Sequence, residues 1–285
     1  MIICSDIPDL RQHIRSWKLR GERIAFVPTM GNLHAGHLQL VAAARQQADH
    51  VVVSVFVNPM QFNDAADFNA YPRTLEQDAD LLRAANVDVL FAPTDSVVYP
   101  HGQVANTKVI VPGLSDVLEG EYRPGHFTGV TTVVCKLFNI VLPEVALFGE
   151  KDFQQLLLIR RMVRDLDMPI QIASLPTVRE SDGLAMSSRN GRLSAAERAV
   201  APVLYQVLCR LRDQVLAGDR RYALMEEQAI TALKGAGLGV EYVVVRRVSD
   251  LQPPQDGDQQ LVVLVAAQLG KTRLIDNIPM VLTGK

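Results

Sequence analysis

Two histidines three residues apart, His34 and His37, lie in the stretch TMGNLHAGH at 29–37, just after the apolar run RIAFVP at 23–28. A helix-patterned segment, GHLQLVAAARQQAD at 36–49, follows directly. Gly31 can take a turn conformation closed to other residues, and Gly36 lets a ligand or a neighbouring backbone approach where the helix starts. Imidazoles beside a helix N-terminus can donate hydrogen bonds to phosphate oxygens, and the positive end of the helix dipole also favours an anion there. The plainer alternative is a strand-to-helix turn whose histidines cap the helix or face solvent. A zinc pair fits less well, because no third ligand is in view and helical zinc pairs usually stand four residues apart.

Three further polar loops have the same placement after apolar runs. VNPMQF at 57–62 carries Asn58 and Gln61, amides that can donate to and accept from a small polar substrate, or simply build a turn. GEKDFQQ at 149–155 offers Lys151 for phosphate charge and Asp152 for ribose hydroxyls or hydrated magnesium, with Gln155 one helical turn on. Asp152 could equally be a helix cap. MSSRN at 186–190 holds Ser187, Ser188 and Arg189, in a segment that could close over a triphosphate or serve as a linker. Arg123, in EYRPGHF at 121–127, is either an anion ligand or a solvated surface arginine. Together these parts suit chemistry on a nucleotide phosphate, where positioning and charge neutralisation supply most of the catalysis. The chain has no Walker-type phosphate loop and no Gly-x-Gly-x-x-Gly in its first turn, which argues against a P-loop ATPase and a dinucleotide dehydrogenase.

The elements that must hold these loops follow from hydrophobic period. Strands are expected at 23–28, 50–58, 87–93, 145–149 and 170–176, with helices near 36–49, 74–86, 130–142 and 153–166. Continuous apolar strands alternating with helices predict an α/β, Rossmann-like, doubly wound parallel sheet over 1–177. Ligands of such sheets bind beyond the carboxyl ends of the strands, where the four loops fall. From 178 to 285 the order changes to helices near 194–216 and 222–236 and strands at 241–248, 261–267 and 272–278, which predicts a smaller C-terminal α+β domain. LQPPQDGDQQ at 251–260 reads as a hairpin loop.

Composition narrows the class. The 285 residues carry a formal charge of -2, with 48% hydrophobic and 21% charged residues and no basic block, so no nucleic-acid partner is expected. The longest apolar runs, at 51–57 and 261–267, fall far short of the roughly 20 residues that cross a bilayer. No membrane association is expected. Cys4, Cys135 and Cys209 are widely separated, odd in number and without metal-ligand spacing, so a reducing cytoplasm fits better than a disulfide framework or a zinc site.

In order along the chain, PTMGNLHAGH, FVNPMQF, EYRPGHFTGV, FGEKDFQQ and TVRESDGLAMSSRN closely resemble the pantothenate synthetase family, over nearly the whole length. HAGH at 34–37 also looks like the His-x-Gly-His signature of the wider nucleotidyltransferase superfamily, and MSSR takes the place of its Lys-Met-Ser-Lys-Ser loop without the lysines. The resemblance implies an ATP-dependent ligase that joins pantoate to β-alanine through a pantoyl adenylate, with Mg2+, as a cytoplasmic homodimer. It implies ATP contacts from Met30, Gly31, Asn32, Leu33, His34, Ala35, Gly36, His37, Gly149, Glu150, Lys151, Asp152, Val178, Met186, Ser187, Ser188 and Arg189. Within that set, His37 is the candidate proton donor, and His34, Lys151, Ser187, Ser188 and Arg189 hold phosphate charge. Gln61, Gln155 and Met30 would meet pantoate, and Gln61 and Asn58 would meet β-alanine. Two rivals are a nucleotidyltransferase that keeps the adenylyl group in its product and a non-catalytic tRNA-binding module, which the lack of a basic face disfavours.

Overall fold

The β-branched and aromatic runs of the first 176 residues form strands in the computed structural model, which describes residues 1–282. The strands are β1 (Ile2–Cys4), β2 (Ile24–Thr29), β3 (His50–Val55), β4 (Val89–Phe91), β5 (Val145–Gly149) and β6 (Gln171–Leu175). They pair in parallel in the order β1-β4-β3-β2-β5-β6. The chain therefore builds outward from β2 in one direction and then from β5 in the other. β2 and β5 are neighbours at the point where the order reverses, and open α/β sheets bind ligands beyond the carboxyl ends of such strands.

Five helices of ten residues or more serve this sheet: α1 (Ile7–Leu19), α2 (Ala35–Arg45), α3 (Leu75–Ala84), α4 (His126–Val141) and α5 (Phe153–Asp165). The pleat sends alternate residues of β2 to opposite faces. Ala25 and Val27 join Leu40 and Val41 of α2 and Leu82 of α3 in one core cluster. Phe26 points to the other face and meets Phe138 of α4 edge-on at 6.3 Å. Both faces are thus buried, as the unbroken apolar character of the strand requires.

Beyond short helices at 65–69, 95–98 and 119–122 that were not expected, the elements depart from the expected ones at three places. The first strand and helix were not foreseen, although Asp6 caps α1 by accepting from the Asp9 N–H, and Leu10, Ile14 and Trp17 follow at helical spacing to form its buried stripe. α4 starts at His126 rather than near 130, because Gly125, with φ of 80°, turns the chain into the helix before the apolar run begins. The stretch at 194–216 is two helices, α6 (Ala195–Val200) and α7 (Val203–Leu216), broken at Pro202, which has no N–H to continue the first.

α7 and α8 (Tyr222–Gly235) pack on a three-stranded antiparallel sheet, β7 (Gly239–Arg247), β8 (Gln260–Leu269) and β9 (Thr272–Val281). Leu208 and Leu211 of α7, Leu233 of α8, and Val245 and Val263 of the sheet share that core. The residues at 248–259 link β7 to β8, so the hairpin loop starts before the expected 251 and Gln260 already belongs to β8.

The chain forms two compact units, Met1–Glu150 with Gln155–Pro176, and Lys151–Gln154 with Thr177–Lys285. The excursion at Lys151–Gln154, absent from a continuous 1–177 domain, has a local cause: Asn277 of β9 donates its side-chain N–H to the Lys151 carbonyl at 2.9 Å.

Candidate active site

The turn after β2 is shaped by a buried carboxylate from another helix. Asp78 of α3, 1% exposed, accepts from the Asn32 N–H at 2.9 Å, the Leu33 N–H at 2.8 Å and the Thr74 hydroxyl at 3.1 Å. Gly31 has φ of 81°, and a Cβ there would stand 2.9 Å from the Asp78 Oδ2, so only glycine fits. Asn32 follows at φ of 51°, and the chain then enters α2 at His34. The amides of Asn32 and Leu33 are accordingly bound within the protein.

The histidine pair closes the first turn of α2. His34 Nδ1 accepts from the Gly36 N–H at 3.2 Å, and His37 Nδ1 accepts from the His34 N–H at 3.3 Å. A ring nitrogen that accepts carries a lone pair, so in each neutral imidazole the proton sits on Nε2. Each ring therefore presents an Nε2–H donor. The two rings lie 4.1 Å apart, centroid to centroid, and the first turn of α2 holds no acidic side chain to oppose an anion. Ala35 of this turn is exposed, while Gly36 is half-buried.

After β3 the chain makes a one-turn 3-10 helix at Pro59–Gln61, where an amide network forms. Asn58 is fully buried, and both ends of its amide are occupied. Its Oδ1 accepts from the Tyr99 hydroxyl at 2.7 Å and the Met60 N–H at 3.3 Å, and its Nδ2 donates to Gln61 Oε1 and to the Gly129 carbonyl, each at 3.1 Å. Gln61 Nε2 lies 2.9 Å from Met30 Sδ, which joins this network to the turn after β2. The Gln61 carbonyl accepts from His126 Nδ1 at 2.7 Å and from Arg123 Nη2 at 3.2 Å. A carbonyl only accepts, so the His126 proton is on Nδ1, and its Nε2 faces Arg123 Nη1 at 3.1 Å. Arg123 also pairs with buried Glu119 at 3.3 Å, so it is neither a surface arginine nor disposed as an anion ligand. Burial pushes the Tyr99 hydroxyl well above the usual tyrosine range and keeps it a donor.

Beside β2, the strand β5 ends at half-buried Gly149. The Glu150 carboxylate accepts from the Ser174 hydroxyl at 2.8 Å. Gln155, in the same unit, is half-buried near the start of α5.

Lys151, half-buried, and Asp152, exposed, belong to the second unit, with Val178, Met186, Ser187, Ser188 and Arg189. There the segment 178–186 folds back on itself: the Met186 N–H donates to the Val178 carbonyl at 2.9 Å, and the Glu180 N–H to the Leu184 carbonyl at 2.8 Å. Ser187 Oγ accepts from the Arg189 N–H at 3.2 Å. Arg179 anchors this hairpin. Its guanidinium bridges both oxygens of Asp276 at 2.6 and 3.0 Å, donates to the Gly183 carbonyl at 3.1 Å and stacks over the Tyr205 ring at 3.8 Å. Asp276 is 3% exposed; burial raises its carboxyl above the usual range, and Arg179 opposes the rise. The anchor leads to Lys151, because Asn277, next to Asp276, holds the Lys151 carbonyl.

The sequence reading passed over Asp78, Tyr99, His126, Arg179 and Asp276. Asp78 and Asp276 did leave a signal: each is an acid on an apolar stripe, beside Ala79 and Leu82 in α3 and between Leu274 and Ile278 in β9.

A family model described as pantoate-beta-alanine ligase matches residues 2–279. The pantothenate synthetase of Stutzerimonas stutzeri is 56% identical over 98% of this chain and 97% of its own length. A crystal structure of pantothenate synthetase from Thermus thermophilus superposes with a TM-score of 0.91 at 44% identity, covering 98% of this chain and 99% of that one. A pantoate-beta-alanine ligase from Francisella tularensis, described as complexed with beta-gamma ATP and beta-alanine, superposes at 0.83 with 35% identity, covering 98% and 97%. With the His34–His37 turn, the amide network and the 178–186 hairpin all inside the matched span, the chain belongs to the pantoate–β-alanine ligase family.

Proposed function

We infer that the chain makes pantothenate by joining pantoate to β-alanine at the expense of ATP, through a pantoyl adenylate. The observation that carries this reading is the His34–His37 pair, which closes the acid-free N-terminus of α2 with its ring Nδ1 atoms and so carries its ring protons on Nε2. In the first step a pantoate carboxylate oxygen attacks the α-phosphorus, and pyrophosphate leaves with the electrons of the broken P–O bond. Charge gathers on the phosphate oxygens, and His34 and His37 stabilise it, with His37 as the proton donor. In the second step the β-alanine amine attacks the acyl carbon, and AMP leaves with the oxygen that joined it to the acyl group.

Roles divide by chemistry. Lys151 neutralises the β- and γ-phosphates, and Ser187, Ser188 and Arg189 hold the triphosphate. Gly149 and Asp152 meet the ribose, Glu150 lies between them on the ATP side, and the backbones of Val178 and Met186 meet the adenine. The Gln61 and Gln155 amides bind the pantoate hydroxyls, with Met30 against its apolar part, and Gln61 also faces β-alanine. Asn58 is buried with its amide fully bonded, so it acts through Gln61 by fixing which end of that amide carries the oxygen.

Magnesium would supply positive charge to the triphosphate, and the exposed carboxylate of Asp152 is the hard oxygen donor that would hold it. A homodimer would be supported by β6, an edge strand beside an open groove that mixes Val163, Met168, Ile170 and Ile172 with the charged Arg160, Arg164 and Asp167. A cytoplasmic setting suits an ATP-consuming enzyme whose three cysteines are all unbridged. Among the described residues no helix is long and apolar enough to cross a membrane.

The test is to incubate the protein with ATP, magnesium and pantoate, with and without β-alanine, and to follow pyrophosphate and AMP separately. Pyrophosphate should appear in a burst with pantoate alone, and AMP should turn over only once β-alanine is added. Formation of ADP, or no dependence on pantoate, would overturn the substrate assignment. Free AMP separates this ligase from a transferase that keeps the adenylyl group.

A further inference from the structure

On the far edge of the sheet, three side chains of different metal-binding chemistry converge outside the nucleotide turns. The Cys4 thiol, an Asp9 carboxylate oxygen and an imidazole nitrogen of His13 all lie within 4.8 Å of one another. Their backbones are held independently of any ion. Cys4 ends β1, paired with Phe91 in the parallel ladder, and its carbonyl accepts from the Ala92 N–H at 2.9 Å. Asp9 and His13 stand four apart on α1, Oδ1 to Nε2 at 3.9 Å, and Asp6 caps that helix. Cys4 is fully buried, whereas the Asp9 and His13 side chains are 46% and 30% exposed, so the donors have a closed inner side and an outer side open to water.

We propose that Cys4, Asp9 and His13 form a zinc site, completed by water in the fourth position. Sulfur, nitrogen and oxygen donors in one set suit zinc rather than magnesium or calcium, which take oxygen alone. Zinc bonds of about 2.0–2.3 Å in a tetrahedron set ligand atoms roughly 3.3–3.8 Å apart, so modest rotation of the outer Asp9 and His13 side chains closes the site. The thiol proton, now held against Asp9, passes to solvent as the sulfur–zinc bond forms. The resulting thiolate and the carboxylate balance the two charges of the ion, and the neutral imidazole adds none. Without metal the thiol is poorly reactive, because burial, with Asp9 and Asp6 close by, pushes it up to about 12. A bound ion would tie α1 to the edge strand and leave the ATP-facing turns untouched.

The nucleotide-free protein is titrated with cadmium, whose thiolate complex absorbs in the ultraviolet, and then with zinc. One equivalent of cadmium should saturate the charge-transfer band, zinc should abolish it by displacement, and zinc alone should raise the unfolding temperature. Cys4→Ser should lose the band and the thermal shift, and His13→Gln should weaken cadmium binding by about tenfold or more. Both variants should keep magnesium-supported pantothenate formation. Absence of the band in the unaltered protein, its survival in Cys4→Ser, or full affinity in His13→Gln would overturn the site. If Cys4→Ser fails to fold, His13→Gln, at a half-exposed position, decides the matter alone.

Discussion

Each histidine of the turn after β2 uses one ring nitrogen to complete the helix end, and this sets the protonation of the other. His37→Ala should therefore lower pantoate-dependent pyrophosphate release by about a hundredfold or more, the scale of one electrostatic or acid–base group. Unimpaired release would remove His37 from the chemistry. Asp78 acts one step away: its two oxygens accept from the Asn32 and Leu33 amides, which hold Gly31 and Asn32 at positive φ. Asp78→Asn keeps the shape but turns an N–H2 toward a backbone N–H, and an unpaired buried donor costs about 1–3 kcal/mol. The expected result is a raised KM for ATP and a lower kcat, with an unchanged circular dichroism spectrum. Wild-type constants for ATP would show that the turn holds its form without the carboxylate.

At the scale of elements, close backbone approach and one buried ion pair do the positioning. α4 packs so tightly on the Pro59–Gln61 turn that a Cβ at Gly129 would lie 2.3 Å from the Met60 carbonyl oxygen. Gly129→Ala should displace the Gln61 amide and raise the KM for pantoate more than that for ATP. Equal effects on both would point to general loosening instead. In the second unit, Arg179→Ala leaves Asp276 buried without its cation, which should cost about 3–5 kcal/mol of stability. Urea unfolding measures this, and a loss under about 1 kcal/mol would mean that Asp276 relaxes to water.

For the molecule as a whole, acid removes stability where the fold holds carboxylates ionised. Glu22 is held at about 2, chiefly by Arg20 and next by His50, against an ordinary value of 4.5. A depressed value means that the ionised form is bound more tightly in the folded state, so this contribution is present above pH 4.5 and is lost as pH falls toward 2. Trp17, the single tryptophan, stacks on His50 at 4.0 Å and reports on this corner. Its fluorescence should change across that acid range, and Glu22→Gln should already show the low-pH signal at neutral pH. Identical acid profiles for the two proteins would assign the transition to other groups.

What the sequence by itself determined is whatever repeats at short range. The strand and helix periods, the polar loops after apolar runs and the motif order were enough for the parallel sheet, the α+β remainder and the family. The tertiary structure alone decided which loops became neighbours and what holds them. Asp78 reaches back 45 residues to Leu33, His126 reaches back 65 to Gln61, and Arg179 reaches 97 residues ahead to Asp276. Periodicity records which face of an element is buried. It does not record which distant residue meets that face, because strand order and helix docking set those pairings, and the same alternating pattern is compatible with many of them. Cys4, Asp9 and His13 follow the same rule: their spacing resembles no familiar zinc motif, and they meet because a helix folds back beside the strand that precedes it.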